Sequence, residues 1–172
     1  MKGNILGLIK IEMWLGERSM RKSTDANLAY CMLRATLGLN ICIHGISRIL
    51  QGPGVFASYL VGMFQKTPLP AWSVHLFGLG LPWIEMILGA LVLVGMRLRF
   101  ALAAGSLLMF VLTFGSALRQ DWDIAGLQLI YAAVYAALLA FREKDWFSLD
   151  SLMLRRHGWD RNTAQPSGYG YS

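Results

Sequence analysis

A chain of 172 residues with 55% hydrophobic and only 15% charged residues is one domain by length and too apolar for an ordinary soluble one, which leaves a membrane protein as its class. The net charge of +6 does not point to nucleic acid, because the basic residues cluster beside the ends of apolar runs, where anionic lipid headgroups attract them. Two cysteines, Cys31 and Cys42, would lie about 16 Å apart on one helix, too far for a disulfide, and no CxxC spacing offers a zinc or iron–sulfur site within the chain.

Residues 1–25 do not read as a signal peptide, since Lys10, Glu12, Glu17 and Arg18 interrupt their apolar residues. Ile5, Leu6, Ile9 and Met13 recur at helical spacing and predict an amphipathic helix lying in the membrane surface; the alternative is a frayed basic tail. Ser23, Thr24 and Asp25 offer caps, so a first span is expected over 26–50, ending at the QGPG turn. Val55, Phe56, Tyr59, Leu60, Met63 and Phe64 then recur at three- and four-residue intervals in a segment too short to cross, which predicts a short helix resting on the outer surface or dipping into it.

The second span is expected at about 72–95 with Pro82 inside it, the third at 98–118 with small residues in ALAAGS, and the fourth at 123–141, where Gln128 is the one strongly polar interior residue. Residues 143–172 combine a second amphipathic surface segment with a Pro/Ser/Gly-rich end. The expected fold is thus an all-α integral membrane protein: a four-helix bundle over 26–142 with amphipathic surface helices at both ends and in the first outer loop. Twelve Lys and Arg flank the spans on the side of the termini and two on the other, which places both termini in the cytoplasm and the protein in a bacterial-type cytoplasmic membrane.

Leu33 to Arg48 puts Arg34, Asn40, His44 and Arg48 inside a helix that otherwise suits lipid, and Glu85 is the only acidic residue within an apolar segment. At a rise of about 1.5 Å per residue from the middle of each span, Arg34 and Glu85 fall on the same side of centre, so they are the expected ion pair, either a register lock or a proton-linked group. His44, Arg48 and His75 are expected near the outer side as a polar mouth. A quinone headgroup needs donors at its carbonyl oxygens and aromatic walls, which Arg48, His44, His75, Trp72, Trp83 and Phe56 can supply, with Gly45 allowing close approach. Two histidines also suit a b-type haem, but nothing in the spacing demands one.

LRATLGLNICIHGISRIL and WIEMILGALVLVGMRLR resemble the first and second helices of DoxX/DoxD-like membrane proteins, and the resemblance extends over residues 28–142. It implies a four-helix membrane subunit and, through the DoxD branch, the small subunit of a thiosulfate:quinone oxidoreductase completed by a partner subunit. Arg34, Gly38, His44, Gly45, Arg48 and Glu85 are the matching positions, with Arg48 where lysine is common in that family. The function expected on this footing is a quinone-linked oxidoreductase subunit with His44, Arg34 and Glu85 as its chemical groups. Its expected partners are the lipid bilayer and other subunits or further copies of the chain. The alternative is a non-catalytic anchor or assembly subunit whose interior charges only hold the bundle together; a proton-coupled transporter is disfavoured by the lack of an internal repeat.

Overall fold

The computed structural model describes residues 3–145 and 148–150, with side chains from residue 24 onward. Among the described residues five helices follow one another, α1 (Gly3–Gln51), α2 (Pro53–Met63), α3 (Ala71–Val94), α4 (Leu98–Leu118) and α5 (Trp122–Ala140), and a short 3-10 turn follows at Arg142–Lys144. Four stretches are long and apolar enough to cross a bilayer: Thr24–Gln51 within α1, and all of α3, α4 and α5. In each, a third or less of the most apolar window is buried in the protein, and large side chains such as Trp72, Phe100 and Phe110 point outward. An apolar surface of that extent is stable against hydrocarbon and not against water, so the protein is an all-α, multi-pass membrane protein.

The helix break expected at Ser23–Asp25 is absent. No proline occurs before Pro53, and α1 runs unbroken from Gly3 through the cap-forming residues, so residues 3–25 extend the first span as one rod. The expected amphipathic face of this N-terminal part lies outside the described residues, as do residues 146–147 and 151–172 of the surface segment and tail expected over 143–172.

Glycines set the register between α1 and α3. A Cβ on Gly38 would stand 2.5 Å from the Leu93 backbone nitrogen, one on Gly89 would meet the Cys42 backbone, and one on Gly45 would meet the Met86 and Pro82 backbones. Side-chain-free positions on both helices therefore let the two backbones touch, and this is the most extensive helix contact in the protein. Successive α1 residues meet successively earlier α3 residues, as antiparallel neighbours must. The midpoints of the expected spans, residue 38 and residues 83–84, are not level, because Gly38 lies against Leu93. That offset of about ten residues is about 15 Å along the helix axis.

The displacement explains α2. Gly52 takes a positive φ of 98°, accepts the first hydrogen bonds of the next helix through its carbonyl, and is followed by Pro53 in the first turn of α2. After this single-residue break α2 continues alongside α3: a Cβ on Gly78 would stand 2.8 Å from the Ala57 Cα. The short helix expected after the first span is thus present, and it covers the first half of α3 that α1 is too far displaced to reach.

The remaining helices form a hairpin, α4 against α5, with Gly105 receiving the ring of Tyr135, which is fully buried. Leu37, Ile41, Leu81, Val92, Leu102, Met109 and Leu138 complete a core shared by both helix pairs. At the α3–α4 turn the chain's later residues return. Both Asp150 carboxylate oxygens accept backbone N–H groups, from Arg97 at 2.9 Å and Leu98 at 2.8 Å, and Ser148 is buried against Gly95. A carboxylate distant in sequence thus caps the start of α4, where orphan N–H groups and the positive end of the helix dipole favour a negative charge. Asp150→Ala is expected to lower stability by about 1–2 kcal/mol, read as a fall in thermal midpoint in detergent; an unchanged midpoint would remove the cap's role.

Candidate functional site

Two polar centres lie at opposite ends of the bundle. The basic end holds the α3–α4 turn with Arg97 and Arg99, and Arg142 and Lys144 after α5; the other is the α2 end.

Arg34 belongs to the basic end. Four residues before Gly38, it is carried to the C-terminus of α3, where its Nη1 donates to the carbonyl oxygens of Val92 at 2.7 Å and Leu93 at 2.8 Å. Its Nε lies 3.7 Å from Asp145 Oδ1, with both side chains buried. The last carbonyls of a helix lack intrahelical donors and carry the negative end of its dipole, so a guanidinium there answers a local need. One turn earlier, the Tyr30 hydroxyl donates to Leu138 O at 2.9 Å and ties α1 to α5. The expected Arg34–Glu85 pair is therefore not formed, and the physical reason is the shift between α1 and α3.

Glu85 pairs with Arg48 instead. The Arg48 Nη1 donates to Glu85 Oε2; the Glu85 side chain is 5% exposed and that of Arg48 27% exposed. The arginine's guanidinium carbon sits 4.6 Å above the centre of the Phe56 ring, so α1, α2 and α3 meet at one cation. The buried Tyr135 hydroxyl has no hydrogen-bond partner. Arg48, at the α2 end of the bundle, thus has an acidic partner on a neighbouring span.

Beside this pair is a cavity of about 250 Å³ between α2, α3, α4 and α5. Phe56, Tyr59, Phe64 and Phe77 give it aromatic walls, and Arg48, Ser116, Arg119 and Gln128 give it polar corners. Arg119 is 9% exposed and pairs with Asp121 at 2.7 Å, while its guanidinium lies 5.3 Å from the Phe64 ring centre. Its Nε and the Gln128 Oε1 are buried without a hydrogen-bond partner, one an unanswered donor and the other an unanswered acceptor on the lining residues of a single cavity. Buried polar atoms are seldom left so, and a ligand with both kinds of group would answer them.

A second, more open hollow lies where α1 meets α2, lined by His44, Ser47, Gln51 and Val55, and it shares Arg48, Phe56 and Tyr59 with the first. His44 is exposed there. The other expected ligand groups are elsewhere. His75, Trp72 and Trp83 are exposed and line neither hollow, because they project from the faces of α3 turned away from both. Gly45 is closed off by the α3 backbone, so its missing side chain serves helix packing and not a ligand. Sequence reasoning passed over Arg119, Ser116, Phe64 and Phe77; the available signal was Gln128, alone in its polarity within the fourth span. Among the described residues no three of His, Cys, Asp and Glu come together as metal ligands would.

Four spans, an interior ion pair and an aromatic-walled cavity define an integral membrane protein with a polar site inside its helix bundle. A family model described as methylamine utilisation protein MauE matches residues 26–124, more than half of the chain, and the chain belongs to the MauE family. The matched region covers the first span, α2, α3, α4 and the start of α5. This corrects the resemblance to DoxX/DoxD proteins: the same helices are those of a different membrane family, and no DoxX match accompanies it. No curated protein and no solved structure matches the chain.

Proposed function

We propose that the protein is a membrane subunit of a redox system serving methylamine utilisation, and that it binds a quinone headgroup in the cavity beside Arg48 and Glu85. The family match supports the system, since relatives are described as methylamine utilisation proteins. The observation that carries the ligand is the cavity itself, where aromatic walls stand beside an unanswered donor on Arg119 and an unanswered acceptor on Gln128. A quinone ring stacks on aromatic faces, its carbonyl oxygens accept from guanidinium donors, and its reduced hydroxyl form donates to an amide oxygen. Reduction takes two electrons and two protons. The electrons come from a redox centre in a partner subunit, and Glu85, paired with Arg48 where that arginine lines the α1–α2 hollow, passes protons. The excess of basic residues at one end of the bundle supports a cytoplasmic-membrane location with both termini in the cytoplasm.

Mild-detergent purification followed by solvent extraction and mass spectrometry is expected to yield close to one quinone per chain. Ser116→Phe, which fills the cavity, and Gln128→Leu, which removes an acceptor with little change in volume, are expected to lose most of it. A folded, quinone-free preparation of the unaltered protein would reject the ligand. One observation favours a second reading, an anchoring subunit: at the basic end Arg34, Tyr30 and Asp150 are all engaged by the protein's own backbone. On that reading, variants of the cavity leave growth on methylamine unchanged.

A further inference from the structure

Resting on the quinone reading, we infer that the cavity is loaded sideways from the lipid between α3 and α4, and that its ligand is a quinone bearing a long apolar chain which stays in the groove outside. The groove, of about 460 Å³, is lined by Ile84, Ile87 and Leu88 of α3 and Ala104, Leu107 and Leu108 of α4, with no charged residue among them. Phe77 of α3 and Val111 of α4 line both this groove and the polar cavity, so the two spaces adjoin at these side chains. The seam is suited to opening. α3 packs chiefly on α1 and α2, α4 packs chiefly on α5, and contact between α3 and α4 is slight. Leu107 and Ile87 are largely exposed, so the groove faces hydrocarbon along its length.

The two spaces differ in what they can hold. The groove has no donor or acceptor for a quinone ring, and the cavity has charged corners ill suited to a hydrocarbon chain. A molecule with a polar ring and an apolar tail fits the pair as neither space alone would require. The opposite wall of the cavity, at Arg48 and Phe56, leads to the hollow lined by His44, Ser47 and Gln51, which gives protons a polar route separate from the ring's route. A phospholipid chain could also lie in the groove, but it has no reason to depend on the cavity, and that dependence is what distinguishes the two.

The test is photolabelling of the full-length protein in lipid nanodiscs with a benzoquinone whose decyl chain carries a diazirine, mapped by peptide mass spectrometry. Labelling is expected on 84–88 and 104–108, and the same ring without the chain should compete it away. Ala104→Trp, at a lipid-exposed position, should reduce groove labelling about tenfold by filling it, and loading of the cavity with quinone should fall with it. Labelling that the tail-free ring does not reduce, or that a diazirine phospholipid reproduces equally, would overturn the lateral route. So would competed labelling on the α1–α5 side of the bundle, although the quinone site itself would then stand. Absence of quinone from the purified protein together with absence of competed labelling anywhere would overturn both.

Discussion

Gly45→Leu is expected to abolish accumulation of folded protein, whereas Gly80→Leu, on the neighbouring helix, is expected to be tolerated. At Gly45 even a Cβ would meet the Met86 and Pro82 backbones, and backbone cannot turn aside as a flexible side chain can. Four added carbons would have to push α1 and α3 apart along their whole contact, because Gly38 and Gly89 lock the same interface within about two turns. Overpacking of a core costs typically 1–3 kcal/mol, and about 3 kcal/mol or more is expected here, where three close approaches fail together. At Gly80 a Cβ would meet nothing within 4 Å. Size-exclusion profiles and thermal midpoints of the two variants in detergent check this. A Gly45→Leu protein with the parent's midpoint would show that α1 and α3 are not in the contact described.

The same interface shows what a single chain reveals and what it withholds. Four spans are visible because hydropathy over about 20 residues is a one-dimensional property, and turns rich in glycine, proline and basic residues separate them. Lateral register is not of that kind. Levelling each span on the membrane midplane puts Arg34 opposite Glu85, but Gly38, Gly45 and Gly89 lock α1 about ten residues further along α3, an offset no hydropathy profile contains. The consequence is an exchange of partners: Arg34 goes to the free carbonyls of α3, and Glu85 goes to Arg48. Arg48 stood out as a polar residue in the sequence, but its distance from Glu85 in the levelled picture hid the pair. Arg119 was hidden differently, as a loop charge next to Asp121, because only the return of α2 along α3 brings Phe64 and Met63 to it. The family was misread for a related reason. Short motifs such as LG and HG with a following basic residue report close helix packing and an interior charge, which unrelated membrane bundles need alike.

The Arg48–Glu85 pair yields the second large effect, and its sign differs between the partners. Arg48→Met leaves a carboxylate of 5% exposure without its cation, and breaking a buried pair in this way typically costs about 3–5 kcal/mol, limited by the option of Glu85 to take up a proton. Glu85→Gln is expected to cost less, because Arg48 is 27% exposed and opens onto a polar hollow where water can replace the carboxylate. Arg48→Met with Glu85→Leu should recover much of the loss, since a hydrophobic replacement of a buried pair is often neutral or stabilising. A double-mutant cycle on thermal stability is therefore expected to show coupling above about 1 kcal/mol for Arg48 with Glu85, and coupling near zero for Arg34 with Glu85. Coupling of Arg34 to Glu85 instead would mean that the α1–α3 register is wrong. The doubly substituted protein also divides the two functional readings, because it restores the fold without restoring a charge or donor at the cavity. If it accumulates normally yet carries no quinone and fails to support growth on methylamine, the pair serves a ligand; if growth is normal, the pair serves only the bundle.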